Sequence, residues 1–473
     1  EVHVSDLRND RYVRGVVLNA RDVTERVTLE GELTHQAFHD GLTGLANRAL
    51  FRDRLEQTLA RSSRNRESFA VLVFDLDGFK LVNDSFGHTA GDELLRQAAQ
   101  RLTNVTRPTD TLARLGGDEF AMLLEGADEA GAKHIADRVL EVLGLPVVVE
   151  QRSLTLSASI GVVVHAGSTT DAEGLMRHAD VAMYAAKSAG RARYEVFQIE
   201  MAQDLAEVVA LERDVDLGFE RGEFTVHYQP TVDIKTRAVT GAEALLRWHS
   251  PTRGPVGPDR FIPVAEATGL IHRLGEFVLR ESAHQVAEWQ RAGLVSDDFA
   301  VWVNISGKQL ALGGLRTIVS NAIADAGITA RHLGLEITEN AIIDNGPTGN
   351  RARNELEALH AVGVRIALDD FGTGFSSLAH LHRIPIDVIK VDRSFVADIE
   401  RDAKNAAITG NLASLAHALG LVSVAEGIET EVQLAAVQQL GCDIAQGFLL
   451  ARPASAATIT EFLVEQRDAH LAA

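Results

Sequence analysis

Val364-Arg365-Ile366-Ala367-Leu368-Asp369-Asp370 is an apolar run of strand length that ends in two adjacent carboxylates. Neighbouring side chains on a strand point to opposite faces, so two acids at its end are hard to explain as packing. The same habit recurs on both sides of this run. Glu243 interrupts 241–248, Asn304 sits near the end of 301–306, Glu336 falls in 333–339, Lys390 in 387–392 and Glu426 closes 421–426. With 224–230 and 442–448 these make eight strand-like runs, most of them followed by a helical pattern. That alternation predicts a (β/α)8 barrel, whose chemistry sits at the carboxyl ends of its strands. One cluster of oxygen ligands at one mouth is therefore expected. Phe371-Gly372-Thr373-Gly374 follows directly and has the glycines of a loop fit to close over a substrate.

Upstream, residues 40–198 mix strand and helix signals as an α/β or α+β domain. Phe69–Phe74 is a buried strand ending in Asp75, and Asp92–Leu102 is an amphipathic helix. Leu112–Leu115 and Glu119–Leu124 flank Gly116-Gly117-Asp118, a hairpin signal. A helix near 128–143, strands at 147–150 and 153–165, a helix at 171–189 and a strand near 193–198 complete it. An acidic hairpin alone is usually a solvated turn. Here Asp75 is placed to face it, and carboxylates converging from two strands need a cation between them; oxygen ligands favour magnesium or manganese. Residues 199–222 read as a helical linker, 13–20 as a short strand and 26–39 as a helix with one apolar stripe.

Composition sets the outer bounds. The chain has 473 residues, 46% of them apolar and 24% charged, with a formal charge of −20. No window approaches the uninterrupted apolar length of a membrane span, and no signal-peptide pattern opens the chain. It begins at Glu1 rather than Met, which leaves room upstream for a sensory or membrane segment. The acidic balance disfavours nucleic acid and anionic membrane as partners. A small phosphate ligand would need metal ions and a few placed cations. Lys80, Lys187 and Lys390 all fall inside the motifs below. Cys442 is the single cysteine, which rules out an intrachain disulfide and a cysteine-rich zinc site.

Residues 40–198 resemble the GGDEF family of diguanylate cyclases. The resemblance rests on Asp40-Gly41-Leu42-Thr43-Gly44-Leu45-Ala46-Asn47-Arg48, Phe74-Asp75-Leu76-Asp77-Gly78-Phe79-Lys80, Asn83-Asp84, Gly87-His88, Gly91-Asp92, Gly116-Gly117-Asp118-Glu119-Phe120 and Ala185-Ala186-Lys187-Ser188-Ala189-Gly190-Arg191. It implies an α+β nucleotidyl-cyclase fold, metal on Asp75 and Asp118, and Glu119 beside them in the catalytic turn. Asn83 and Asp92 would read guanine, while Lys80, Lys187 and Arg191 would hold the triphosphate. Each domain binds one GTP, so two copies must face one another; the 26–39 helix offers a means of homodimerisation. Arg107-Pro108-Thr109-Asp110 matches the family's product-inhibition motif, placing Arg107 and Asp110 in an inhibitory site for cyclic di-GMP.

Residues 223–460 resemble the EAL family of cyclic di-GMP phosphodiesterases, a TIM-like barrel. Gln229-Pro230, Glu243-Ala244-Leu245-Leu246-Arg247-Trp248, Val303-Asn304-Ile305-Ser306, Glu336-Ile337-Thr338-Glu339, Asp369-Asp370-Phe371-Gly372-Thr373-Gly374, Lys390-Val391-Asp392, Ala425-Glu426-Gly427-Ile428-Glu429 and Gln446-Gly447 carry it. It implies two ions per active site on Glu243, Asn304, Glu336, Asp369 and Asp370. Arg247 would grip a phosphate, Gln229 and Gln446 would touch substrate, Lys390 and Glu426 would serve the attacking water, and Glu339 would anchor the loop 371–376. Arg21-Asp22-Val23-Thr24-Glu25-Arg26 is similar to the end of a PAS sensor. The domains expected are thus a PAS remnant over 1–25, a signalling helix over 26–39, GGDEF over 40–198, a linker over 199–222 and EAL over 223–473. Together they imply a bacterial cytoplasmic enzyme that makes cyclic di-GMP from GTP and hydrolyses it to linear pGpG. The alternative is one catalytic domain regulated by a second that only binds nucleotide.

Overall fold

Along the strand Phe69–Leu76 nearly every side chain is buried, so both of its faces need a covering layer. Ala70, Leu72 and Phe74 pack with Leu94, Leu102 and Val139 from the helices His88–Val105 and Glu129–Gly144. Val71 and Val73 pack with Phe51, Leu55, Leu175 and Ala179 on the helices Arg48–Asn65 and Ala172–Ser188. The strand is central in a five-stranded sheet, between Glu119–Glu125 and Ala158–His165, both antiparallel to it. Thr111–Gly116 and Arg193–Val196 are the edges. These layers form the core of the first of two units, Glu1–Glu207 and Val208–Ala473. The computed structural model describes every residue except 1, 10, 13–14, 21, 23–35, 66, 150–151, 167–169, 340–346, 373–383 and 473.

Two elements of this unit differ from the sequence reading. The strand expected over 153–165 is two strands: Arg152–Leu154 pairs with Val147–Val149 in a separate hairpin, and Ala158–His165 joins the main sheet. Leu154 and Leu156 both reach the same core, so the apolar pattern runs through the break. At the N-terminus the strand expected over 13–20 is described as Gly15–Ala20, and it has an antiparallel partner, Val2–Leu7. The alternation of Val2 and Val4 with His3 and Ser5 is too short a signal to stand alone. The helix read over 26–39 lies mostly outside the described residues, as does most of Arg21–Arg26.

In the second unit eight strands close into a ring. The order is Val239–Ser250, Ala300–Ile305, Leu333–Thr338, Arg365–Phe371, Val388–Val391, Val422–Ala425, Ile444–Ala445 and Phe224–Asp233, which returns to the first. The barrel departs from strict strand–helix alternation at one place. Phe224–Asp233 runs antiparallel to both of its ring neighbours. The cause is local: the Asp233 carboxylate accepts the amides of Lys235 and Thr236 at 3.0 and 2.7 Å, and Arg237 takes φ 60°, so a tight turn replaces a crossover helix. The hairpin brings Gln229 opposite Glu243. Outside the ring, Leu211 and Val215 on the helix Ile199–Glu220 are buried with Trp248, Phe261 and Leu274. Arg253 fixes the same helix through Asp214 at 2.8 Å.

One close approach positions a whole face of the first unit. A Cβ on Gly161 would stand 1.9 Å from the Ala179 carbonyl oxygen and 2.4 Å from the Met183 nitrogen. The helix Ala172–Ser188 therefore rests directly on strand backbone. Gly161→Ala should cost about 3 kcal/mol by overpacking, read by calorimetry as a lower Tm of the first unit. An unchanged Tm would show that the helix can lift off its strand without penalty.

Candidate functional site

Two carboxylate clusters stand out, one in each unit. In the first, the hairpin expected at Gly116-Gly117-Asp118 is present, with Gly116 at φ 145° and Gly117 at φ 55°. A side chain at either position would be strained, so glycine is required by the backbone. The turn is tied to the neighbouring strand end, because the Leu76 amide donates to the Asp118 carbonyl at 3.2 Å. Asp75 meets Lys187 at 2.9 Å, the lysine coming from the last turn of Ala172–Ser188. Burial raises the Asp75 carboxyl above its ordinary range; the charges of Asp118 and Asp77 add to this, and the Lys187 hydrogen bond opposes it.

Asn83 and Asp92 lie on consecutive helices, Phe79–Phe86 and His88–Val105. Asn83 Oδ1 is buried with no partner, and a Cβ on Gly91 would fall 2.0 Å from it. Gly91 thus makes room for the Asn83 amide. Lys80 and Arg191 are exposed. Glu119 is paired with Arg48 at 3.3 Å, and the two line a cavity of about 470 Å³ with Asp180 and Met183. Arg107 and Asp110 form a turn in which Asp110 accepts the Arg107 amide at 3.2 Å and is buried, while Arg107 is exposed. Among the described residues no ion pair joins these two side chains.

The barrel cluster is denser. Lys390 Nζ lies 2.6 Å from Glu426, 2.7 Å from Glu336, 3.3 Å from Asp369 and 3.9 Å from Glu243. Glu243 also accepts from Asn304 at 2.7 Å and from Gln446 at 2.6 Å, and Gln446 donates to Gln229 at 3.1 Å. Residues from all eight expected strand runs therefore meet in one place. Asp369 and Asp370 would point apart on a regular strand. Here the register shifts between Leu368 and Phe371, and Asp370 takes φ 54°, a left-handed conformation that costs a non-glycine residue about 1–3 kcal/mol. With that bulge, oxygens of Asp369, Asp370 and Glu426 lie within 4.8 Å of one another, a spacing that fits a divalent cation.

Electrostatics divides the carboxylates. Burial raises Glu336 well above the usual range, and the neighbouring carboxylates add to it. Burial likewise lifts Glu426 to about 7, against the pull of Lys390. Glu243 resists the same burial through the Lys390 charge and its bonds from Gln446 and Asn304, and stays low. Beside the cluster, Arg247 lines a cavity of about 360 Å³ with Leu246, Ile262, Glu266 and Asn304. Glu339 is described, but residues 373–376 of the loop it was expected to anchor lie outside the described residues.

Some residues of both sites were not singled out from sequence. Asp392 shares a hydrogen bond with Asp370, and its position two residues after Lys390 was the available signal. Arg114 is the other. It donates to both Asp40 oxygens at 3.1 Å and to the Gly117 carbonyl at 2.7 and 2.9 Å, so it braces the acidic turn against the Asp40-Gly41-Leu42-Thr43 motif. Burial would raise Asp40, but hydrogen bonds from Thr43 and Arg114 hold it below the usual carboxylate range.

Comparison with known proteins gives the same division. Residues 37–193 match the diguanylate cyclase GGDEF domain and residues 210–453 match the EAL domain. A Pseudomonas aeruginosa protein named as the bifunctional diguanylate cyclase/cyclic di-GMP phosphodiesterase MucR is 42% identical over 422 residues, 89% of this chain and 61% of MucR. The cyclic di-GMP phosphodiesterase NbdA of the same organism is 36% identical, over 91% of this chain and 54% of its own. The chain thus spans little more than half the length of these relatives. The solved phosphodiesterase of MucR, in complex with cyclic di-GMP, is 40% identical with a TM-score of 0.50, covering 53% of this chain and 99% of that one. A Vibrio cholerae LapD structure containing S helix, GGDEF and EAL shares the fold at 20% identity and a TM-score of 0.53, over 91% of this chain and 100% of that one. On these matches and this geometry, the chain belongs to the family of tandem GGDEF–EAL proteins of cyclic di-GMP signalling.

Proposed function

We propose that this chain turns over cyclic di-GMP in both directions, with residues 40–198 making it from two GTP and residues 223–473 hydrolysing it to linear pGpG. The observation that carries this reading is that each unit holds its own carboxylate cluster, with no expected metal-ligand position replaced. In the cyclase unit, Asn83 and Asp92 bind the guanine edge, and Lys80, Lys187 and Arg191 hold the triphosphate. A ribose 3′-oxygen of one GTP attacks the α-phosphorus of a second and pyrophosphate leaves; the mirror-image step closes the ring. Two copies must meet for this, and the 26–39 helix is the proposed dimer element. The hairpin at the N-terminus, with Val4 and Leu18 exposed, fits the end of a PAS-like sensor over 1–25. A cytoplasmic location follows from the pools of GTP and cyclic di-GMP that such an enzyme would use. No described helix is long and apolar enough to cross a membrane.

In the barrel, Glu243, Asn304, Glu336, Asp369 and Asp370 are the proposed ligands of two ions, magnesium or manganese, and Asp75 and Asp118 those of the cyclase unit. Such ions activate water or a hydroxyl and neutralise phosphoryl charge. Arg247, Gln229 and Gln446 orient the dinucleotide. Glu426, with a carboxyl near neutrality, takes a proton of the attacking water while Lys390 balances the charge; the water oxygen bonds to phosphorus, the P–O3′ bond breaks, and the proton passes to the leaving O3′ to give the 3′-hydroxyl. A second reading, one catalytic and one regulatory domain, is favoured by the similarity to NbdA, whose name carries the phosphodiesterase activity alone.

Product chromatography after incubation with GTP, and separately with cyclic di-GMP, distinguishes the readings. Asp118→Ala should abolish synthesis and leave hydrolysis within about twofold, while Glu243→Ala does the reverse, each loss exceeding about 100-fold. Hydrolysis by Glu243→Ala at the parent rate would overturn the barrel assignment.

Feedback gives a further test. With Arg107 exposed and Asp110 turned inward, cyclic di-GMP should inhibit synthesis non-competitively with GTP in the Glu243→Ala background. Arg107→Ala should then raise the inhibitory concentration by about tenfold or more. Unchanged inhibition would return Arg107 to an ordinary surface residue.

Lys390 gives a prediction independent of turnover. Removing one partner of a buried ion cluster costs about 3–5 kcal/mol. In chelator, Lys390→Met should therefore melt well below the parent, and magnesium or manganese should restore part of the difference. Equal melting in chelator would show that Lys390 does not neutralise the cluster.

A further inference from the structure

Asp77 stands two residues after Asp75, on the same strand end, and a second metal ligand is the first role it suggests. Its contacts are already committed elsewhere. Oδ1 accepts from Ser159 Oγ at 2.7 Å, and Oδ2 accepts from Ser157 Oγ at 2.9 Å and from the Ala192 amide at 3.2 Å. Its own amide donates to the Ser157 carbonyl at 2.9 Å. Ser159 lies on the adjoining strand and Ser157 immediately before it. The third partner, Ala192, lies in the loop that follows the helix Ala172–Ser188 and carries Arg191.

That loop has an uncommon backbone. Gly190 reverses the chain at φ 111°, and then Arg191 and Ala192 take φ 61° and 51°, two successive left-handed residues that are not glycine. Such a pair persists only where its surroundings hold it. One hold is on the helix side, where the Arg191 amide donates to the Ala186 carbonyl at 3.1 Å. Asp77 is the other. The Arg191 side chain is exposed, and among the described residues it forms no ion pair.

We propose that Asp77 is a positioning residue: it fastens the 189–192 loop to the end of the metal-bearing strand, so that the Arg191 guanidinium is aimed at the phosphates of a nucleotide bound beside Asp75. The inference rests on the GTP site proposed above. It explains why an acid is present where no ligand is needed. A carboxylate takes three donors at once, and an amide or hydroxyl side chain in its place would leave Ser157, Ser159 or the Ala192 amide short of an acceptor.

A double-mutant cycle on the whole chain tests it, with α,β-methylene GTP and magnesium as the probe in calorimetric titration. Arg191→Ala should weaken binding about tenfold, and Asp77→Ala by a similar factor. The double variant should bind no more than about twofold worse than Arg191→Ala alone, since residues acting as one unit are not additive. In cyclase assays in the Glu243→Ala background, the Asp77 loss should appear in KM for GTP with kcat largely kept. Asp77→Asn retains one acceptor and should recover part of the affinity; it also serves where Asp77→Ala fails to fold. Fully additive losses, or a loss confined to kcat, would overturn the role given to Asp77. If Arg191→Ala leaves binding unchanged while Asn83→Ala weakens it, the GTP site stands and this inference falls. If neither variant changes binding, the GTP site itself is wrong.

Discussion

Carboxylates brought together at strand ends repel one another; in the barrel one lysine pairs with four of them, and in the first unit a lysine pairs with Asp75. Two unit charges about 4 Å apart interact by about 4 kcal/mol at an effective dielectric of 20. Four acids around one point would not stay ionised together without a cation among them. Lys390 supplies that cation in the barrel, and Lys187 supplies it for Asp75. The division of protonation follows from the same contacts. Glu243, with two amide donors besides the lysine, stays ionised, whereas Glu336 and Glu426 are pushed upward by burial and by their neighbours.

The backbone is bent to serve these clusters, and the bends sit on rigid supports. The bulge that brings Asp370 beside Asp369 and Glu426 lies between ladder-paired strands of a closed barrel. The glycine turn before Asp118 is braced by Arg114, which is itself clamped by Asp40. Helix Ala172–Ser188 reaches its position because Gly161 lets it touch the sheet backbone. In each case a local conformation that would be costly alone is maintained by packing and hydrogen bonds on several sides.

The two clusters share no residue, and each lies within one compact unit. Every ligand set and every charge balance is therefore internal to its own unit. A substitution in one cluster thus leaves the contacts of the other untouched.

Much of the architecture was legible in residue order. Continuous apolar runs marked the barrel's seven parallel strands and the strand–turn–strand around Asp118, because a strand covered on both faces is apolar throughout. The polar residues interrupting those runs marked the cluster at the mouth, since acids in a core need a reason. Three features lay beyond that reading. The first barrel strand is antiparallel, set by an Asp233 turn whose hydrogen bonds carry no periodicity. Asp369 and Asp370 converge only through a bulge, which shifts register without altering composition. The roles of Arg114 and Asp77 depend on partners 74 and 115 residues away. Sequence determines which groups are costly to bury, because that is a property of each residue. Only the tertiary structure decides which partner offsets the cost, because that depends on which distant segments the packed sheets bring within hydrogen-bond reach.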